Sequence, residues 1–169
     1  MSVNIVLTGL MGGGKTTVGK MLVKQLKDYI FIDTDDVISG LEEMSIPEIF
    51  KTKSEAYFRE LEKKIIEEFS QEDNLIISIG GGAFENEINR ENLKQNGKVF
   101  YLKASVDTLY ERIKGDTNRP LLQCENPRGK LEELLIKREE NYLKSDYVIE
   151  TDGKDLESIV ESIMERIQI

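Results

Sequence analysis

The stretch that most constrains this chain is Gly9-Leu10-Met11-Gly12-Gly13-Gly14-Lys15-Thr16, which matches G-x-x-x-x-G-K-[ST] in full. The pattern carries meaning only between a strand and a helix, and both neighbours read that way. Val3–Leu7 is a short apolar run of β type ending in Thr8-Gly9. Val18, Leu22, Val23 and Leu26 then give one apolar face to a helix over 18–26. In that setting the glycines let the backbone wrap around phosphates with its N–H groups pointing inward. Lys15 is placed to bridge β- and γ-phosphates, and the Thr16 hydroxyl to ligate Mg²⁺. Gly12, Gly13, Gly14, Lys15, Thr16 and Thr17 are therefore expected to bind a nucleotide.

Beyond the loop, apolar runs and helical patterns alternate. Runs at 29–32, 75–79, 99–102 and 147–149 read as strands, the first closed by Asp33 and the second by Gly80-Gly81-Gly82. Helices are expected at 46–50, 55–69, 106–113, 131–142 and 156–167. The second of these buries Phe58, Leu61, Ile65, Ile66 and Phe69. The polar stretch 114–129 holds Pro120 and Pro127 and reads as an irregular loop. Strands buried on both faces and separated by helices describe a parallel sheet in an α/β fold, and 169 residues suit one domain. In such sheets ligands bind beyond the carboxyl ends of the strands, which directs attention to Thr8-Gly9, Asp33 and Gly80.

Composition narrows the chemistry. Histidine is absent and Cys124 is the single cysteine. Acid–base work must fall to carboxylates, no internal disulfide can form, and the expected metal is a hard, oxygen-liganded one. With 23 basic against 32 acidic residues the net charge is −9, which disfavours nucleic acid as a partner. No apolar segment is long enough to cross a bilayer, and 1–8 does not read as a signal peptide, so a soluble cytoplasmic protein is expected.

Strand 75–79 ends in glycines, so an acid for the metal shell must come from elsewhere. Asp33-Thr34-Asp35 ends the neighbouring strand and can aim one carboxylate at the metal and one into a substrate cleft; it also reads as a helix N-cap before Val37. Arg59, three residues before Glu62, and Arg138, followed by Glu139 and Glu140, are each compatible with anion binding or with an ordinary ion pair. Arg119-Pro120 within the polar loop fits a lid arginine or a surface turn. The three glycines at 80–82 permit close approach of a ligand.

Taken in order, these pieces resemble the shikimate kinases from Asn4 to about Asp152. The resemblance rests on the phosphate loop with Thr17-Val18-Gly19-Lys20 behind it, Asp33-Thr34-Asp35, and Ser45-Ile46-Pro47-Glu48-Ile49-Phe50. It continues through Phe58-Arg59-Glu60-Leu61-Glu62, Gly80-Gly81-Gly82-Ala83 and Asn89-Arg90. Arg119-Pro120-Leu121-Leu122, Arg138-Glu139-Glu140-Asn141-Tyr142 and Asp146-Tyr147 complete it.

The resemblance implies a three-layer P-loop kinase fold with a five-stranded parallel sheet in the order 2-3-1-4-5. It implies transfer of the ATP γ-phosphoryl to the 3-hydroxyl of shikimate, on the route to chorismate and the aromatic amino acids. Lys15, Asp35 and Arg119 would be catalytic, and Thr16 with Asp33 would serve the Mg²⁺. Arg59, Arg138 and the Gly80–Gly82 backbone would bind shikimate, with Asp35 on its hydroxyl. Ile46, Phe50, Phe58 and Pro120 would line the ring pocket. The lid would span 114–129 and the substrate-side helices 36–62. The partners would be ATP and shikimate, with neither nucleic acid nor membrane, and a monomer is expected with a dimer as the alternative. Ile79 stands where the family often has Thr, and Ser54 where it often has Gly. The arginine that some members carry near 151–155 is missing, leaving Arg112 as the adenine-side partner. Two rival readings are a related kinase for another small hydroxy acid and a non-catalytic module that binds ATP or shikimate.

Overall fold

The computed structural model describes residues 3–116, 119 and 123–167. Five strands, β1 (Asn4–Thr8), β2 (Ile30–Asp33), β3 (Leu75–Ser78), β4 (Gly97–Lys103) and β5 (Tyr147–Glu150), form one sheet. All pairings are parallel and the order is β2-β3-β1-β4-β5, as the resemblance implied.

Successive side chains of a strand face opposite sides, and the two apolar layers follow from that alternation. Ile5 and Leu7 of β1 pack with Val18 and Leu22 of α1 (Lys15–Gln25) and with Val160 and Ile163 of α8 (Leu156–Ile167). Val6 faces the other way, into a layer with Ile66 of α4 (Glu55–Ser70) and Leu93 of α5 (Glu87–Gln95). Leu109 of α6 (Val106–Ile113) and Leu131 of α7 (Pro127–Tyr142) complete that layer. A smaller cluster of Ile38, Ile49, Phe58 and Ile65 ties α2 (Thr34–Glu42) and α3 (Ile46–Thr52) to α4. A Ser45–Glu48 capping box starts α3.

Several boundaries differ from the sequence reading, each for a physical reason. The first helix begins at Lys15, because the phosphate loop itself forms its opening turn. Helix α2 was foreshadowed only as a cap, and Asp33 does cap it, accepting from the Asp35 N–H. Helix α5 was not expected from the sequence, because its apolar residues are only Ile88 and Leu93, too sparse to stand out from the polar residues around them. Pro127 and Gly129 belong to α7 rather than to the loop, since proline suits a first turn and the Asn126 side chain accepts from the Gly129 N–H at 3.0 Å. The expectation that all strands are buried on both faces holds for β1 and β3 but not for the outer strands β2 and β5, which the helices cover only in part.

One backbone position is strained. Ser54, between α3 and α4, has φ 93° and ψ 159°, a region that belongs essentially to glycine. This is the position where the resembling family often carries Gly.

Candidate active site

The phosphate loop follows β1, Asp33 ends β2 and the three glycines follow β3, and these strands are neighbours in the sheet. Their carboxyl ends therefore open on one cavity of about 640 Å³. Gly12 and Gly14 take φ values of 80° and 89°, which turn the loop so that its amides face inward. Gly14 caps α1 without a side-chain acceptor, and the first turn of α1 contains no acid. The opening N–H groups of that helix are thus left to meet an anion.

Lys15 Nζ donates to Gly9 O at 2.6 Å and to Leu10 O at 3.2 Å. Burial lowers its pKa to about 8, against the attraction of Asp35 and Asp33. Arg112 Nη1 donates to Gly12 O at 3.0 Å, which seats α6 against the loop. The Thr16 hydroxyl donates to Asp33 Oδ2 at 3.0 Å, while Asp33 Oδ1 caps α2. One carboxylate thus caps α2 and also meets Thr16, the other residue expected to serve the metal. Thr16 and Asp33 give two hard oxygen donors side by side. No group of three or more His, Cys, Asp or Glu suited to a metal occurs among the described residues. That donor set fits Mg²⁺ held chiefly through phosphate oxygens and water.

Across the cavity, the glycines make room for charged side chains as well as for a ligand. A Cβ on Gly80 would lie 2.8 Å from Asp35 Oδ1 and 3.1 Å from Glu62 Oε2. One on Gly81 would lie 3.3 Å from Arg138 Nη1, and one on Gly82 only 2.5 Å from Arg59 Nη2. Each glycine thus admits different members of a cluster of two acids and two arginines. The Gly80 N–H donates to Thr34 Oγ1 and the Tyr142 hydroxyl to Gly81 O, which pins this turn to α2 and α7.

Arg59 Nη1 donates to Glu62 Oε1 at 2.9 Å, the i,i+3 pair expected from sequence. One half of the pair is enclosed, since Glu62 is 1% exposed, while the Arg59 side chain remains part-exposed. Burial raises Glu62 to about 7, with Arg59 pulling the other way. Asp35 is also raised, by burial first and then by Asp33. Among the described residues neither Asp35 Oδ1 nor Glu62 Oε2 accepts a hydrogen bond. Arg138 is 5% exposed, so it too lies inside the molecule, and its Nε donates to Glu85.

Of the candidates named from sequence, Gly12, Gly13, Gly14, Lys15, Thr16, Thr17, Asp33, Asp35, Arg59, Gly80, Gly81, Gly82, Arg112, Arg119 and Arg138 all line the cavity. Ile46, Phe50 and Phe58 give it an apolar wall, with Phe50 and Phe58 meeting edge to face at 5.0 Å. Pro120 lies outside the described residues. Arg119 Nε donates to Asp116 Oδ2 at 3.0 Å. Sequence reasoning undervalued Glu62, whose i,i+3 spacing looks the same exposed or buried. It missed Glu85, for which no local pattern exists.

A shikimate kinase family model matches residues 11–168. A shikimate kinase of Persephonella marina is 43% identical over 165 residues, covering 98% of this chain and 99% of that protein. The shikimate kinase of Thermodesulfovibrio yellowstonii is 42% identical over 165 residues, covering 98% and 95%. In structure, a shikimate kinase from Acinetobacter baumannii in complex with shikimate superposes with a TM-score of 0.93 at 39% identity, over 99% of this chain and 93% of that one. Near-complete coverage at such identity joins the strand order and the ordered motifs in one conclusion: the chain belongs to the shikimate kinase family.

Proposed function

We propose that the protein transfers the γ-phosphoryl group of ATP to the 3-hydroxyl of shikimate, giving shikimate 3-phosphate and ADP, on the route to chorismate and the aromatic amino acids. The observation that carries this reading is one cavity with a phosphate loop at one side and two acids and two arginines around the Gly80–Gly82 turn at the other. A kinase for an acceptor without a carboxylate has no use for the second half.

In this reading the loop amides and the α1 N-terminus hold the ATP phosphates, and Arg112 flanks the adenine. Lys15 exchanges its carbonyl partners for the β- and γ-phosphate oxygens. Thr16 and Asp33 would hold Mg²⁺, which when bound neutralises charge on the phosphates. Arg59 and Arg138 clamp the shikimate carboxylate against the Gly80–Gly82 turn, and Ile46, Phe50 and Phe58 receive the ring. Asp35 then faces the acceptor hydroxyl. As the bond from the hydroxyl oxygen to the γ-phosphorus forms and the bond to ADP breaks, Asp35 takes the proton. Burial supports that role by raising its affinity for a proton. Arg119 stabilises the charge on the transferring group.

No helix among the described residues is long and apolar enough to cross a membrane. On this reading the protein is one cytoplasmic domain, a monomer with a dimer as the alternative, and the net charge of −9 disfavours a nucleic-acid partner. The test is an ADP-release assay with ATP and Mg²⁺, offering shikimate, quinate and gluconate side by side. Shikimate should lead in kcat/KM by at least about a hundredfold, the discrimination expected from matched buried polar contacts. Equal or better turnover of gluconate would overturn the assignment.

A further inference from the structure

Arg138 is 5% exposed, and a guanidinium so enclosed needs a fixed counter-charge. Glu85 provides it: Arg138 Nε donates to Glu85 Oε2 at 3.1 Å. Lys137, whose side chain is mostly exposed, lies 3.7 Å from Glu85 Oε1.

Glu85 is itself held in place. It ends the 3-10 turn Ala83–Glu85 that leaves the three glycines. Arg90 Nη1 donates to both Phe84 O and Glu85 O at 2.8 Å, and the buried Asn89 amide donates to Ala83 O at 3.0 Å. Asn89 and Arg90 thus fix the turn that presents Glu85. A guanidinium can meet a carboxylate through its Nε side or through its two Nη groups. Nε is engaged by Glu85 and the side chain also hydrogen-bonds the Tyr142 hydroxyl, so Arg138 is held from two sides while Nη1 lies beside the Gly81 backbone in the cavity.

We propose that Glu85 is a positioning residue for recognition of the substrate carboxylate: by holding Arg138 Nε it directs the Nη fork of Arg138 into the cavity and thereby sets the affinity for shikimate. This rests on the reading that Arg138 meets the substrate carboxylate. Two consequences of Glu85 oppose each other. Its acceptor oxygen orients the fork, while its negative charge weakens the local attraction for an anion. Removing the charge and removing the acceptor therefore have different effects, which a merely structural residue would not produce.

The experiment measures shikimate and ATP kinetics for the parent, Glu85→Ala, Glu85→Gln, Arg138→Met and the double variant Glu85→Ala/Arg138→Met. Glu85→Ala should raise the shikimate KM about tenfold, the scale of one hydrogen bond to a charged group. It should lower kcat far less and leave the ATP KM within about twofold. Glu85→Gln keeps an oxygen that accepts from Nε, so its shikimate KM should stay within about threefold of the parent. In the Arg138→Met background, Glu85→Ala should change kcat/KM for shikimate by less than about twofold, because the group it positions is gone. A parental shikimate KM in Glu85→Ala overturns the proposal. So does an equal loss in both backgrounds, which would make Glu85 a support of its own turn. If Arg138→Met leaves shikimate kinetics unchanged, the carboxylate reading falls and this inference with it. Should Glu85→Ala not fold, Glu85→Leu fills the same space without an acceptor, and a parental KM there is equally decisive against the proposal.

Discussion

Replacing Lys15 with Met should make the protein inactive and harder to unfold at the same time. The ammonium sits under the phosphate loop, where burial lowers its pKa from 10.5 to about 8. That difference amounts to roughly 3 kcal/mol of unfavourable charging in the folded state at neutral pH. Met removes this cost, but also removes the hydrogen bonds from Nζ to Gly9 O and Leu10 O. At roughly 0.5–1 kcal/mol for each lost bond, a net stabilisation of about 1–2 kcal/mol remains. The sign with pH follows from proton counting. Between about 8 and 10.5 the unfolded chain holds the Lys15 proton more tightly than the folded one. The parent therefore gains stability as pH rises through that window, and the variant does not. Urea melts of the nucleotide-free proteins at pH 7 and pH 9.5 should show the gap narrowing at the higher pH. An ADP-release assay should show turnover reduced at least about a thousandfold, the scale of losing a cation on developing phosphoryl charge. A variant less stable than the parent at pH 7, or a gap indifferent to pH, would refute the burial argument. Turnover within tenfold of the parent would refute the phosphate role.

Asp35→Asn should abolish turnover with ATP affinity nearly unchanged, whereas Asp33→Asn should shift the Mg²⁺ requirement; an exchange of these phenotypes across a Mg²⁺ titration would reverse the roles. Gly82→Ala places a Cβ 2.5 Å from Arg59 Nη2, so shikimate KM should rise at least about tenfold while ATP KM holds. Parental shikimate kinetics would show that Arg59 can move without consequence. Ser54→Gly should relieve a backbone conformation that costs a non-glycine residue about 1–3 kcal/mol, raising Tm by about 2–4 °C. Ser54→Ala keeps the strain and loses the bond from the Tyr57 N–H, so it should melt below the parent; Gly melting no higher than Ala would contradict this.

What could be read from sequence were features whose meaning is local. The phosphate loop is a contiguous motif, and Asp33-Thr34-Asp35 announces both a cap and a site because each requires an acid just past a strand. Long amphipathic helices such as α4 declare themselves by period. Arg138 could not be recognised without the family resemblance, since its burial comes from α7 packing near the 3-10 turn far away in the chain. Glu62 looks like one more acid on an acidic helix, yet it is enclosed. The α5 helix is short and polar along most of its length, so Ile88 and Leu93 do not stand out from the polar sequence around them. Long-range packing decided each of these cases, and no window of neighbouring residues contains it.

The enclosed Glu62 has a consequence for the heat of substrate binding. With its carboxyl raised by burial to about 7, the empty cavity at neutral pH is a mixture of two charge states, one ionised and one protonated. Attraction to Arg59, and more weakly to Arg138, is what keeps the ionised fraction from being smaller. On the proposed reading, an incoming carboxylate shares those arginines, weakens that attraction and adds a negative charge beside Glu62, so the protonated state gains. Binding of shikimate should therefore be accompanied by uptake of a fraction of a proton at Glu62. Calorimetric titrations at pH 7 in buffers of different ionisation enthalpy should give apparent heats that differ in proportion, and Glu62→Gln should shrink that difference.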